Sequence, residues 1–145
     1  RMLVRRNGFR NSKFESGHIG IAWTLTGESR AANYAIKSGE FKSITPHENF
    51  SLSKGGGGAW EVAMRYAYID VNDGSSTNPG SIYGGEEHVL STALNWYVNP
   101  NIRFMLNWNH ILETSLGDGA SASLAATNPE AKGLDVFTLR TQFNF

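Results

Sequence analysis

The sequence predicts an all-β, antiparallel transmembrane β-barrel, and three features of its 145 residues carry that expectation. Apolar and polar side chains alternate with a period of two in five segments, the spacing that sends successive strand side chains to opposite faces. The face opposite the apolar one is mostly small or uncharged, broken only by Glu61, Arg65, Arg103 and Arg140, instead of rich in Lys and Glu. Aromatic side chains fall near the ends of the alternating segments.

Taken in order, Arg1 to Arg6 fits the end of a strand but is too short to show a face. In HIGIAWTLT, His18 to Thr26, the residues Ile19, Ile21, Trp23 and Leu25 share one face and His18, Gly20, Ala22 and Thr24 the other. Ala59 to Val71 sets Trp60, Val62, Met64, Tyr66 and Tyr68 against Glu61, Ala63, Arg65 and Ala67. Leu90 to Val98 sets Leu90, Leu94, Trp96 and Val98 against Ser91, Ala93, Asn95 and Tyr97. From Ile102 to Trp108, Ile102, Phe104, Leu106 and Trp108 oppose Arg103, Met105 and Asn107, and from Phe137 to Phe145, Phe137, Leu139, Phe143 and Phe145 oppose Thr138, Arg140, Gln142 and Asn144.

The connections divide into two kinds. Asn99 to Asn101, NPN, has the residue types of a tight hairpin turn. Asn72 to Glu87 and Glu113 to Gly133 are rich in Gly, Ser, Asn and Asp and read as long exposed loops. Gly27 to Gly58 closes on the run GGGG, expected to be flexible, and its sequence assigns it no regular structure. Strand counting puts this long connection on the short-turn side, which strains a simple barrel.

Composition removes several classes of function. With 13 basic and 13 acidic residues the net charge is zero, so no whole-chain field recruits nucleic acid. There are no cysteines, hence no disulfide framework and no thiolate metal site. Apolar runs are a few residues long, far below the roughly 20 that a membrane-spanning helix needs. No signal peptide is visible in RMLVRRNGF, and the chain is expected to be the tail of a longer polypeptide.

A soluble β-sandwich alternates too, but its exposed face normally carries Lys and Glu, and Lys is absent from all five segments. A barrel in a membrane has the apolar face outward and a polar, often small, lumen face. With NPN on the periplasmic side, Trp96 stands just before the turn and Trp23, Trp60 and Phe143 at the same strand end. Trp108 and Tyr68 stand at the opposite end, giving two aromatic belts.

The segments TLTGESR (Thr24 to Arg30), GAWEVAMRYAYIDVND (Gly58 to Asp73), GGEEHVLSTALNWYVNPNIRFMLNW (Gly84 to Trp108) and the terminal LRTQFNF together resemble the C-terminal part of the phosphate-selective porin O and P family. The NWYVNPN turn and the strand after it are the most specific piece. The family's Gly-Glu-Ser-Arg segment also precedes an irregular connection to a strand beginning near Gly-Ala-Trp-Glu. The resemblance implies a sixteen-stranded outer-membrane barrel, trimeric when full length, whose lumen is lined by Arg and Lys and passes phosphate or related anions. Residues 1 to 145 would then be a partial barrel domain supplying only five or six C-terminal strands. As in other outer-membrane barrels, the terminal Phe145 would be the signal read by the assembly machinery.

The pore-lining candidates are Arg65, Arg103 and Arg140, with Glu61, Asn95 and Asn107 on the same predicted face. Arginines lining a pore lower the barrier for an anion through charge and hydrogen bonding; alternatively, each pairs with an acid such as Glu61. SKGGGGAWE lacks the Lys-Ser/Thr of a phosphate-binding loop, and DVNDGS has its glycine one position early for a calcium loop. The histidines His18, His47, His88 and His110 show no metal-ligand spacing and are expected to be solvated or lumen-facing. No catalytic residue, metal or cofactor is expected; the partners expected are outer-membrane lipid, copies of the same chain, the assembly machinery and small anions. Two alternatives stand beside the anion channel. One is a soluble carbohydrate-binding β-sandwich using Trp60, Trp96 and Trp108 as stacking platforms; the other is an outer-membrane barrel without transport.

Overall fold

The computed structural model describes residues 1–5, 7–8, 11–74, 80–115 and 133–144. Its strands are β1 (Met2–Val4), β2 (Ser12–Thr24), β3 (Tyr34–Ala35), β4 (Glu40–Phe41), β5 (Ala59–Asp73), β6 (Ile82–Asn99), β7 (Ile102–Ser115) and β8 (Leu134–Phe143). One 3-10 turn, Ala31–Asn33, is the sole helical element among the described residues. A six-stranded antiparallel sheet has the order β1-β2-β5-β6-β7-β8, and β3 and β4 form a separate two-stranded sheet. The antiparallel register is visible in side-chain pairs across β7 and β8. Arg103 bonds Gln142 and Asn107 bonds Thr138, partners that move four residues in opposite directions.

Three of the five alternating segments lie wholly in strands, His18 to Thr26 runs two residues past the end of β2, and Phe137 to Phe145 passes the end of β8 at Phe143; Arg1 to Arg6 contains β1, which pairs antiparallel with β2. The strands outrun the alternation, however. β2 begins at Ser12 and holds a Lys13–Glu15 ion pair at 2.9 Å, β6 begins at Ile82 and β7 runs to Ser115. Much of the expected Asn72 to Glu87 loop is therefore strand, while the greater part of the Glu113 to Gly133 loop lies outside the described residues. Its glycines hid the strand: a Cβ on Gly84 would stand 2.6 Å from Val71 Cγ2, so β6 uses a bare residue where β5 crowds it. The NPN turn is as expected. Asn99 Oδ1 accepts from the backbone N–H groups of Asn101 and Ile102, both at 2.9 Å, closing the turn between β6 and β7.

The described chain divides into two compact units, one made of Arg1–Ile19, Arg65–Ser91 and Asn109–Val136, the other of Gly20–Met64, Thr92–Trp108 and Phe137–Phe145. In the second unit the apolar face is bare: Ile21 is 68% exposed, Trp23 71%, Phe137 69% and Leu139 74%. What is buried there lies on the opposite face, in Ala59, Glu61, Asn95, Tyr97 and Met105, together with Ile44 from the connection. A soluble sandwich would bury the apolar face instead. Each large apolar side chain left in water forgoes about 1.5–3 kcal/mol, so this face suits hydrocarbon.

The Gly27 to Gly58 connection is ordered and bound to the sheet. Thr26 Oγ1 donates to Glu28 Oε2 and accepts from the Trp60 N–H at 3.0 Å, while the His47 N–H donates to Glu28 Oε1 at 3.2 Å. Burial pushes the Glu28 carboxyl up, but these hydrogen bonds outweigh it and hold the group below the ordinary carboxylate value. Ile44 packs with Ala59 and Tyr97, all three fully buried. The glycine run, expected to be flexible, is pinned where it joins β5. Gly58 adopts φ 69°, and a Cβ there would come within 2.5 Å of the Tyr97 carbonyl oxygen.

Candidate functional site

Period two puts Glu61 of β5, Asn95 and Tyr97 of β6, Arg103 of β7 and Gln142 of β8 on one face of the second unit, and the structure joins them into a single network. Glu61 is 1% exposed. Its Oε1 accepts from Asn95 Nδ2 at 2.7 Å and from Tyr97 Oη at 3.4 Å, and its Oε2 lies 3.4 Å from Nη1 of Arg30. A carboxylate this buried requires such a cation, since an unpaired charge away from water is strongly destabilising. Its partner comes from the connection, not from a strand.

Arg103 is held differently. Nη1 donates to Tyr97 Oη at 3.0 Å and Nη2 to Gln142 Oε1 at 2.6 Å, with the guanidinium carbon 5.2 Å from the Tyr97 ring centroid. Both acceptors are neutral, and the buried Nε has no acceptor among the described residues. Tyr97 is the hinge of the network, accepting from Arg103 while donating to Glu61. Gln142 in turn donates to Asn144 at 2.9 Å.

Of the predicted pore-lining residues, Glu61, Asn95 and Arg103 thus meet in one cluster. Asn107 lies on the same face of β7 and donates to Thr138 Oγ1 at 3.3 Å. Arg140 shares the parity of Gln142 on β8, and Arg65 belongs to the first unit; both are exposed and form no ion pair among the described residues. Arg30 and Tyr97 were not singled out by sequence. Arg30 lies outside any alternating segment, so only its place in the GESR stretch marked it. Tyr97 was visible as a polar-face residue, but nothing in the pattern distinguished it from its neighbours.

The aromatics follow the expectation unevenly. Trp60 and Trp96 stack at 5.3 Å and 13°, Trp96 and Phe104 at 5.7 Å and 26°, and Phe50 meets Trp96 edge-on at 5.0 Å. Trp96 Nε1 donates to the Gly57 carbonyl at 3.0 Å, as an indole at an interface usually finds a partner. Phe143 flanks the Asn99–Ile102 turn. Trp108 requires correction: because β7 continues to Ser115, it stands in mid-strand and lines one apolar depression with Trp23, Met64 and Phe137. Tyr68 lies in the first unit, stacked 5.9 Å from His88, and Phe145 lies outside the described residues. His88 is neither freely solvated nor turned to the polar face. It sits with Tyr66 and Tyr68, bonded to Tyr66 Oη at 2.5 Å and Glu86 Oε1 at 2.6 Å.

The described residues contain no cluster suited to holding a metal ion. The profile of the family described as phosphate-selective porin O and P matches residues 1–145. The chain belongs to the phosphate-selective porin O and P family. It is similar to Porin O of Pseudomonas aeruginosa, with 32% identity over 100 residues covering 67% of this chain and 21% of that protein. It is also similar to an uncharacterised protein of Caulobacter vibrioides, with 30% identity over 95 residues covering 66% of this chain and 17% of that protein. The matched segment spans about a fifth of the length of these curated relatives. No solved structure matches significantly. Membership in the porin O and P family places the sequence among outer-membrane proteins of Gram-negative bacteria.

Proposed function

We propose that this chain forms part of an outer-membrane diffusion channel for phosphate or related small anions, trimeric in the full-length protein, with Arg103, held by the buried Tyr97, on the face that lines the path. The observation that supports this most is the state of Arg103. Tyr97 and Gln142 fix its guanidinium without cancelling its charge, leaving donors for a passing anion, whereas Glu61 is engaged by Arg30. Arg140, exposed on β8 of the same unit, extends the supply of positive charge; Arg65 is likewise exposed, on β5 in the first unit.

The test is the reversal potential of the full-length protein in planar bilayers under a KCl gradient. Anion selectivity is expected, and Arg103→Gln lowers the anion-to-cation permeability ratio by about two-fold, the effect of one screened unit charge at close range. Cation selectivity in the unaltered protein would refute the anion pathway. Absence of conductance would favour a barrel that does not transport.

A further inference from the structure

We propose that Arg30 is a further selectivity-determining residue of this pathway, carried to the polar face by the irregular connection and positioned there by the buried Glu61. The inference rests on the channel reading above. Three observations lead to it.

First, Arg30 is fixed at its base and open at its tip. On one side Glu28 is tied to Thr26 and to the His47 backbone; on the other, the Ala32 N–H donates to Ser29 Oγ at 3.3 Å and Asn33 Nδ2 to the Ser29 carbonyl at 3.4 Å, where the 3-10 turn begins. The returning half of the connection is anchored by Ile44 against Ala59 and Tyr97. Yet the Arg30 side chain is 42% exposed, while that of Glu61 is 2%. Solvent and solutes reach the cation and not its counter-ion.

Second, one carboxylate serves two cations. Glu61 is paired to Arg30 directly and to Arg103 through the Tyr97 hydroxyl. The cluster therefore carries one net positive charge, and Glu61 decides how much of it a passing ion meets. Third, the Arg30–Glu61 contact is a single 3.4 Å approach of one nitrogen, not a two-pronged pair, so the guanidinium keeps donors for an incoming oxyanion. Glu61 is thus a positioning residue that acts through Arg30.

Charge counting gives an ordering that structural damage would not reproduce. Glu61→Gln keeps the volume and the acceptor for Asn95 and Tyr97 but raises the cluster by one charge; Arg30→Gln lowers it by one; the double substitution restores it. In the full-length protein in planar bilayers, the anion-to-cation permeability ratio rises about two-fold in Glu61→Gln and falls about two-fold in Arg30→Gln, with both changes shrinking at high salt. The double variant and Arg30→Lys return to the starting ratio. If Glu61→Gln and Arg30→Gln shift the ratio in the same direction, or leave it unchanged while the unaltered protein is anion-selective, Arg30 has no such role. A cation-selective protein that still shows the ordering would sink the anion channel while leaving Arg30 as its tuning charge.

Discussion

Gly58 shows how much one residue fixes. It stands at φ 69° where the connection enters β5, and any Cβ would press on the Tyr97 carbonyl and on Trp96 Nε1, at 2.5 and 2.9 Å. The same residue therefore sets the path of the connection, the seat of Tyr97 on the polar face and the place of Trp96 in the aromatic row. Gly58→Ala should destabilise the full-length protein by about 2 kcal/mol or more, from the left-handed conformation and the backbone clash together. The measurement is the urea midpoint for loss of heat-modifiable migration in detergent; an unchanged midpoint would mean that the segment yields. Nothing in the run GGGG distinguishes this glycine from its neighbours, because the clash arises from β6, more than thirty residues away in the chain.

The connection is the element whose character changed most between sequence and structure. Its apolar residues have no period, so they predict neither helix nor strand, yet Ile44 is fully buried and Glu28 clamps both ends of a loop. The clamp has a pH signature. The folded-state carboxyl of Glu28 titrates below its ordinary value, so its stabilisation is fully present above that ordinary value and is lost as pH falls through the folded one. Acid should loosen the connection first. Protease cleavage between β4 and β5 should accelerate on acidification below the ordinary carboxylate range, with an acid-active protease as probe, while Glu28→Gln should show weaker pH dependence across that window. Equal pH dependence in both proteins would remove Glu28 from the clamp. The strands were legible earlier because period two survives wherever one face meets hydrocarbon. Their outer ends were not, since the bond of His88 to Tyr66 and the close approach of Gly84 to Val71 join β6 to β5 across the sheet, contacts that alternation does not record.

For the whole molecule, the decisive contrast comes from the second unit, where apolar-face side chains are exposed or half-buried and the polar-face side chains Glu61 of β5 and Asn95 and Tyr97 of β6 are buried. Leu139 and Phe137 are largely exposed while Glu61 and Tyr97 are sealed, the reverse of a water-soluble sheet. The full-length protein should require detergent for extraction and remain folded in it; recovery in buffer alone would overturn the membrane assignment.

The sequence by itself determined which residues alternate, hence the strands of the sheet, the faces they present and the family they belong to, because period two is a property of the backbone and needs no partner to be read. Tertiary structure alone decided that Arg30, not a strand arginine, neutralises Glu61, that Tyr97 joins that carboxylate to Arg103, and that Trp108 stands in mid-strand. Those facts depend on which side chains an irregular segment brings within a few ångströms of a sheet. No local spacing encodes a distance of that kind.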